Sequence, residues 1–186
     1  MRLALTAVLL VAFFLVRGRA PLITGPVFAV LFLMIGGCPV GGVGWAAGCL
    51  VLTVLGYAAA LLIPFTRRLF RDPRYRMPLG RALYTALIAV PLSTVAVEEA
   101  AFRGALWPVA WATPLLFGLW HVLPGTRANA AAPNRWATFA FTFAAGVVFA
   151  LLRHFSGGLL APFVLHWAAN GLGVVASSLN RSDRRE

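Results

Sequence analysis

Long apolar runs separated by short polar or flexible stretches are the dominant pattern of this sequence. Seven runs can be delimited, at residues 2–16, 22–37, 44–65, 82–106, 109–123, 137–152 and 159–179. Arg, Gly or Pro stands at their boundaries, as is usual between helices. A membrane span takes about 20 residues, so the runs of 15 or 16 residues are marginal in length. The pattern predicts an all-α fold, a polytopic transmembrane helix bundle with about seven membrane segments.

The composition excludes a water-soluble domain. Apolar residues make up 61% of the 186 residues and charged residues 11%, against about 45–50% and about 25% in soluble chains. So few charged side chains cannot cover the surface that such an apolar core would need. We therefore expect a single integral membrane domain over residues 1–186, in contact with membrane lipid.

The charged residues are unevenly distributed. All 16 basic residues are Arg, and with five acidic residues they give a net charge of +11. They cluster between the apolar runs instead of along one solvated face, so nucleic-acid binding is not expected. If all seven runs span, 13 Arg fall on one side and only Arg2 and Arg153 on the other. The positive-inside rule then predicts a cell-membrane protein with its N-terminus outside and its C-terminus in the cytoplasm.

Two stretches at the ends of apolar runs bear on this topology. The first run resembles the apolar part of a signal peptide, but Pro21 follows the only small-residue cleavage pattern, Gly18-Arg19-Ala20. We therefore expect an uncleaved anchor. Residues 66–81 contain six Arg, which predicts a cytoplasmic loop attracted to anionic lipid headgroups.

The fourth apolar run carries three charged residues, Glu98, Glu99 and Arg103. A charged group in hydrocarbon costs at least ~2.5–3.5 kcal/mol on insertion scales, so each one needs a function or a partner. Glu99 and Arg103 are four residues apart on one helix face and can pair. Glu98 lies ~100° around the helix and lacks that partner. The spacing therefore predicts different environments, and different roles, for the two carboxylates.

Three more polar side chains lie in later apolar runs. His121 ends the fifth run, and His166 and Asn170 share one face of the seventh. With a rise of 1.5 Å per residue, Glu98 lies ~12 Å, His121 ~18 Å, His166 ~10 Å and Asn170 ~16 Å from the outer ends of their helices. These depths are compatible with one buried site, whose imidazoles, carboxylate and carboxamide can hold and activate a water molecule. His154, placed in a loop, is not expected to take part.

These residues form three short motifs in order. They read Glu98-Glu99-Ala-Ala-Phe-Arg103, then Phe117-Gly-Leu-Trp-His121, then His166-Trp-Ala-Ala-Asn170. In this the sequence resembles the CPBP family of intramembrane proteases, also called the Abi family. The family includes CAAX prenyl endopeptidases and bacterial bacteriocin-processing and immunity proteins. The resemblance covers residues 98–170, in the C-terminal half of the chain.

The resemblance implies hydrolysis of a peptide bond within the bilayer, in a membrane-associated peptide or protein substrate. It implies that Glu98 activates the water with the help of His121. It further implies that His166 and Asn170 stabilise the oxyanion, while Glu99 and Arg103 support the site.

The cofactor stays open between none and one divalent metal ion. Two His and one Glu are a catalytic zinc set, so Glu98, His121 and His166 are the candidate metal ligands, with zinc the first candidate. Asn170 suits an oxyanion site better than a metal site, and this favours metal-free catalysis by the glutamate.

Two other functions remain as alternatives. Buried Glu and His also mark ion pathways, so the chain could be a proton- or cation-coupled transporter, although the seven runs show no inverted repeat. It could also be a non-enzymatic bacteriocin-immunity membrane protein that binds a partner. The sequence assigns no oligomeric state.

Overall fold

The computed structural model describes residues 1–71, 77–123 and 134–180, and over these ranges the chain is helical and contains no strand. This confirms the predicted all-α helical bundle. Seven principal helices follow the seven apolar runs. They are α1 (Arg2–Val16), α2 (Pro21–Gly36), α3 (Val43–Leu62), α4 (Leu79–Ala105), α5 (Thr113–Val122), α6 (Arg135–Ser156) and α7 (Leu160–Leu179).

The helices differ in their ability to cross a membrane. In the described part of the chain, α3, α4, α6 and α7 are long and apolar enough to span, and α1 and α2 are shorter apolar helices. These features indicate an integral membrane protein. The number of seven spans is not confirmed, and the sidedness of the termini stays a prediction.

The fifth predicted segment, 109–123, is the one whose structure departs most from a spanning helix. A 3-10 helix occupies Trp107–Ala112, with Val109 outside the helical region at φ −118° and ψ 40°. The α-helix proper begins at Thr113, with Pro114 in its first turn, where a proline is tolerated. Ten helical residues reach only ~15 Å, about half of the hydrocarbon thickness.

Helix α4 is irregular along its length. Turns of π-helix occupy Thr85–Ala89, Pro91–Val95 and Ala100–Ala105, and the regular turn Ala96–Glu99 lies between the second and the third. A proline within a helix has no N–H to donate, which disturbs the regular hydrogen-bond ladder at Pro91. Wide turns of this kind are frequent at functional sites. Here two π-helical turns flank the regular turn that carries the adjacent residues Glu98 and Glu99.

Close approach of helix backbones at two glycines packs α2 against α4. In α2, a Cβ added to Gly36 would collide with the backbone of Gly104 and Ala105, and one added to Gly25 would collide with the backbone at Leu92 and Ser93. Because Gly25 and Gly36 have no side chain, the backbone of α2 can lie directly against that of α4.

Other pairs of helices are joined by similar close contacts and by hydrogen bonds. A Cβ at Gly146 of α6 would lie 3.0 Å from Cα of Pro114 in α5, so these two helices also pack closely. Helix α3 attaches to α7 through the Tyr57 hydroxyl, which donates to the Ala169 carbonyl at 2.6 Å. In the short helix Pro64–Arg67 that follows α3, Arg67 Nε donates to Asn180 Oδ1 at 3.0 Å.

The position of His154 differs from the prediction. His154 was expected in a loop, but it belongs to the last turn of α6, which continues to Ser156 before Gly157 ends it in a left-handed conformation. The expectation was wrong because the apolar run ends at Leu152, while the helix continues into the polar residues beyond. His154 is exposed and contacts the ring of Phe155.

The contact between α2 and α4 can be tested with two matched glycine substitutions. We expect Gly36→Ala to lower the thermal unfolding midpoint by roughly 2–12 °C, because overpacking costs about 1–3 kcal/mol. Gly48→Ala in α3, where a Cβ meets nothing within 4 Å, should leave the midpoint unchanged or raise it, since Ala favours helix more than Gly does. Circular dichroism in detergent measures both, and equal midpoints would contradict the packing described here.

Candidate active site

Side chains from three helices meet in the interior. Glu98 Oε2 of α4 lies 3.8 Å from Nε2 of His121 in α5 and 3.8 Å from Nε2 of His166 in α7. Glu98 and His166 are buried, and His121 is partly exposed. The structure thus brings together one carboxylate and two imidazoles that are distant in the chain.

The other ring nitrogens fix how the two imidazoles face Glu98. His121 Nδ1 lies 2.7 Å from the Phe117 carbonyl, and His166 Nδ1 lies 2.8 Å from Glu99 Oε1. Carbonyl and carboxylate oxygens accept hydrogen bonds, so Nδ1 of each ring is the donor. In the neutral rings Nε2 is then an acceptor. With both rings neutral, three acceptor atoms therefore face one another: Glu98 Oε2 and the Nε2 atoms of His121 and His166. We call these three side chains the acceptor cluster.

The two oxygens of Glu98 have different surroundings. Oε1 accepts a hydrogen bond from the indole N–H of Trp120 at 3.3 Å. Oε2 is buried and has no hydrogen-bond partner among the described residues. A buried acceptor without a donor is costly, so the position next to Oε2 favours a small molecule or ion that supplies positive charge or a donated hydrogen.

Glu99 and Arg103 form a buried pair behind this position, as their spacing predicts. Arg103 Nη1 donates to Glu99 Oε1 at 3.2 Å, and Nη2 donates to the Gly146 carbonyl at 3.3 Å. The guanidinium lies over the rings of Phe117 and Phe149, 4.3 and 4.9 Å from their centroids. Arg103 is fully buried, and it depends on these four groups in place of water.

Aromatic rings enclose the imidazoles. The His166 ring stacks on Phe149 with centroids 4.8 Å apart, and the His121 ring lies 4.4 Å from that of Phe117. Rings at these positions exclude bulk water and lower the local dielectric constant, which strengthens each remaining polar interaction.

Asn170 is a predicted site residue that does not contact Glu98, His121 or His166 through its side chain. It follows His166 by one turn of α7 and is exposed. Its side chain makes no hydrogen bond within the described part of the chain. Its role in stabilising an oxyanion stays a prediction, as do the catalytic roles of the other site residues.

Three contributors to the site were not singled out from the sequence. Trp120 stands inside the second motif, next to His121, and that position was the available signal. Phe149 and Gly146 lie in α6, whose sequence is otherwise that of an apolar helix. No local pattern distinguishes them, because their role arises from packing against α5 and α7.

The charges of Glu98, Glu99 and Arg103 do not balance. Two carboxylates and one guanidinium leave one excess negative charge, and a buried charge is strongly disfavoured unless it is neutralised. One additional proton, or a bound cation, would balance the cluster.

Glu98, His121 and His166 match a zinc site in ligand type, because His₂Glu sets hold catalytic zinc. Ligands ~2.1 Å from an ion and in tetrahedral arrangement lie only ~3.4 Å apart, whereas the carboxylate-to-imidazole distances here are 3.8 Å. Among the described residues, no group of three His, Cys, Asp or Glu side chains has the geometry to hold an ion. In the present arrangement these three side chains do not fit a metal ion.

Comparison with known proteins finds two matches. A family model described as type II CAAX prenyl endopeptidase Rce1-like matches residues 80–172, half of the chain, and this range contains all three motifs. An Escherichia coli protein described as an uncharacterized 24.3 kDa protein is 31% identical over 152 residues, which cover 72% of this chain and 64% of that protein. The chain thus spans less than two thirds of this relative's length. No solved structure matches.

The buried pair of Arg103 and Glu99 gives a prediction about stability. We expect Arg103→Met to lower the thermal unfolding midpoint by on the order of 10 °C, because removing one partner of a buried ion pair costs about 3–5 kcal/mol. Adding Glu99→Gln should restore part of the loss, since it removes the unpaired charge. Arg135→Met, at an exposed position, is the control and should have little effect. The assigned pairing would be wrong if Arg103→Met and Arg135→Met unfolded at the same temperature.

Proposed function

The chain belongs to the Rce1-like family of type II CAAX prenyl endopeptidases, and on that premise we propose that it is an intramembrane endopeptidase. Its substrate is a membrane-associated protein or peptide, and a water activated by Glu98 hydrolyses the peptide bond. The observation that carries this proposal is the buried, unpartnered Glu98 Oε2 facing two imidazoles. Family membership favours this function over a transporter.

The acceptor cluster binds the attacking water. A water molecule has two hydrogens, and it donates one to Glu98 Oε2 and the other to an imidazole Nε2. Its oxygen lone pairs then remain free to attack a carbonyl carbon. Trp120 helps because its N–H holds Oε1, which directs Oε2 toward the water.

Proton transfer to Glu98 accompanies attack. As the oxygen of the water bonds to the carbonyl carbon, its proton moves to Oε2 and the carbonyl oxygen becomes an oxyanion. Glu98 then returns the proton to the leaving amine as the C–N bond breaks. A carboxylate in this position serves first as base and then as acid, and such transfer contributes typically about 10²–10⁴-fold to the rate.

The oxyanion needs a donor, and we assign this role to His166 and Asn170. His166 Nδ1 donates to Glu99 Oε1 at 2.8 Å, which orients Nε2 toward the site. With a proton also on Nε2, His166 donates to the oxyanion, and the water then donates to Nε2 of His121. Asn170 is one turn away and exposed, so its carboxamide joins only when the substrate occupies the site.

Substitution at the acceptor cluster tests the mechanism. We expect Glu98→Gln to reduce cleavage at least 100-fold, and His121→Ala and His166→Ala to reduce it by similar factors, because each removes a contact to the water or to the oxyanion. The measurement is the cleavage rate of a library of fluorogenic peptides by the purified protein in lipid nanodiscs.

His154→Ala is the matched control for these variants. It removes an imidazole that is exposed and distant from Glu98 in the chain, so it should cleave at the wild-type rate. If Glu98→Gln cleaves as fast as His154→Ala while both stay folded, Glu98 is not the base. Proton-driven uptake into liposomes without cleavage of any peptide would instead favour the transporter.

Chelation tests the metal-free form of the mechanism. We expect protein treated with chelator to keep its full cleavage rate, since the water is held by protein acceptors alone. Elemental analysis of the same sample should find less than one zinc per ten chains. A rate that falls with chelation and recovers only on adding zinc would assign Glu98, His121 and His166 as metal ligands.

A further inference from the structure

One carbonyl of α4, that of Ala86, is left without a helical donor. In a regular α-helix the N–H of Val90 would donate to the Ala86 carbonyl, but here it donates to the Thr85 carbonyl, five residues back. The corresponding π-helical donor to Ala86 would be Pro91, which has no N–H. Ala86 is buried, so its carbonyl needs a donor from another helix.

Trp167 of α7 supplies this donor. Its indole N–H donates to the Ala86 carbonyl at 2.8 Å. One turn further along α7, a Cβ added to Gly171 would lie 3.2 Å from the same carbonyl oxygen, so the absence of a side chain there lets the two helices approach. We call residues 166–170 the donor turn, because the proposed donors to the oxyanion, His166 and Asn170, stand at its two ends. Trp167 holds this turn against α4.

Tyr57 of α3 holds the donor turn from another direction. Its hydroxyl donates to the Ala169 carbonyl at 2.6 Å. A Cβ added to Gly173 would lie 3.2 Å from the hydroxyl oxygen, so the hydroxyl fits against α7 at a position without a side chain. Ala169 directly precedes Asn170 in the chain. The donor turn is therefore joined to one helix near its first residue and to a second helix near its last.

These two hydrogen bonds lie on either side of the face that carries the proposed donors. Successive residues of a helix point ~100° apart, so Trp167 lies ~100° to one side of His166, and Ala169 lies ~60° to the other. Rotation of α7 about its axis, or sliding along it, would therefore disturb both bonds. His166 Nε2 keeps its distance of 3.8 Å from Glu98 Oε2 only while the donor turn stays in place.

We infer that Trp167 and Tyr57 are positioning residues, which hold the donor turn at the distance from Glu98 that catalysis requires. The inference rests on the proposed function, in which the two ends of this turn stabilise the oxyanion. A displacement of 1 Å costs about 10²-fold in rate. Hydrogen bonds that fix the turn therefore act on the rate without touching the substrate.

Two conservative substitutions remove the donors and keep an aromatic ring, Trp167→Phe and Tyr57→Phe. We expect each to lower kcat about 10- to 100-fold with KM within about twofold, because the oxyanion is present in the transition state and not in the bound substrate. The measurement is steady-state cleavage, in lipid nanodiscs, of the fluorogenic peptide that the wild type cleaves fastest. The value of kcat is expressed per folded molecule.

Trp111→Phe and Tyr84→Phe are the matched controls, because both side chains are exposed. They should cleave at the wild-type rate. A different result for Trp167→Phe and Tyr57→Phe would overturn the inference: a lower thermal unfolding midpoint together with the wild-type kcat per folded molecule. Their hydrogen bonds would then be purely structural.

A substitution at Gly173 tests the contact of Tyr57 without removing its hydroxyl. In Gly173→Ala the new Cβ presses on that hydroxyl, so we expect kcat to fall. In the Tyr57→Phe background the hydroxyl is absent, and adding Gly173→Ala should cause little further loss, since both changes act on one contact. Gly56→Ala, where a Cβ meets nothing within 4 Å, should keep the wild-type rate. Losses that multiply in the double variant would overturn the role of Tyr57.

A spectroscopic measurement separates this inference from the proposed function. The chain contains three His, so protein labelled at histidine gives few imidazole signals, and His166→Ala assigns the one of interest by NMR. We expect Tyr57→Phe to shift the His166 signal and to leave that of the exposed His154 in place. An unmoved His166 signal overturns the inference whether or not any peptide is cleaved. A shifted signal in a protein that cleaves no peptide rejects the protease and keeps the positioning of the donor turn.

Discussion

The burial of one guanidinium determines much of this structure. Arg103 is cut off from water, and it is held by the Glu99 carboxylate, the Gly146 carbonyl and the rings of Phe117 and Phe149. These groups come from α4, α5 and α6, and Glu99 extends the set to α7 through His166. A buried cation tolerates few other arrangements. The contacts of Arg103 therefore fix the relative positions of four helices, of which α4, α5 and α7 carry the acceptor cluster.

Packing of other helices on two sides of α4 explains how neighbouring glutamates have different contacts. Glu98 and Glu99 are both buried, yet Glu98 faces the two Nε2 atoms while Glu99 contacts Arg103 and His166 Nδ1. Consecutive residues of a helix point ~100° apart, so both can be buried only where helices cover two sides. Close contact with α2 on one side, at Gly36, and with α5 and α7 on the other provides that cover.

Local features of the sequence predicted local features of the structure. The boundaries of α3 and α7 lie within three residues of the apolar runs, because Gly, Pro and Arg mark the ends of helices. The pairing of Glu99 with Arg103 follows from a spacing of four. Features that depend on packing between distant segments were not predictable. Among them are the shortness of α5, the contact of Trp120 with Glu98, and the exposure of Asn170. The spacing of Asn170 from His166 predicts that both lie on one face of α7, but it does not predict which helix packs against that face.

A site built from acceptors is suited to hydrolysis in a medium where water is scarce. Apolar side chains and lipid chains have no hydrogen to donate, so they cannot satisfy Glu98 Oε2, and water is the smallest molecule that can. The cost of leaving this acceptor unpaired thus becomes affinity for water. Rings of Phe117 and Phe149 around the imidazoles limit the space to few molecules. In the proposed mechanism, the unpaired Glu98 Oε2, which costs the helix bundle some stability, is the atom that retains the attacking water.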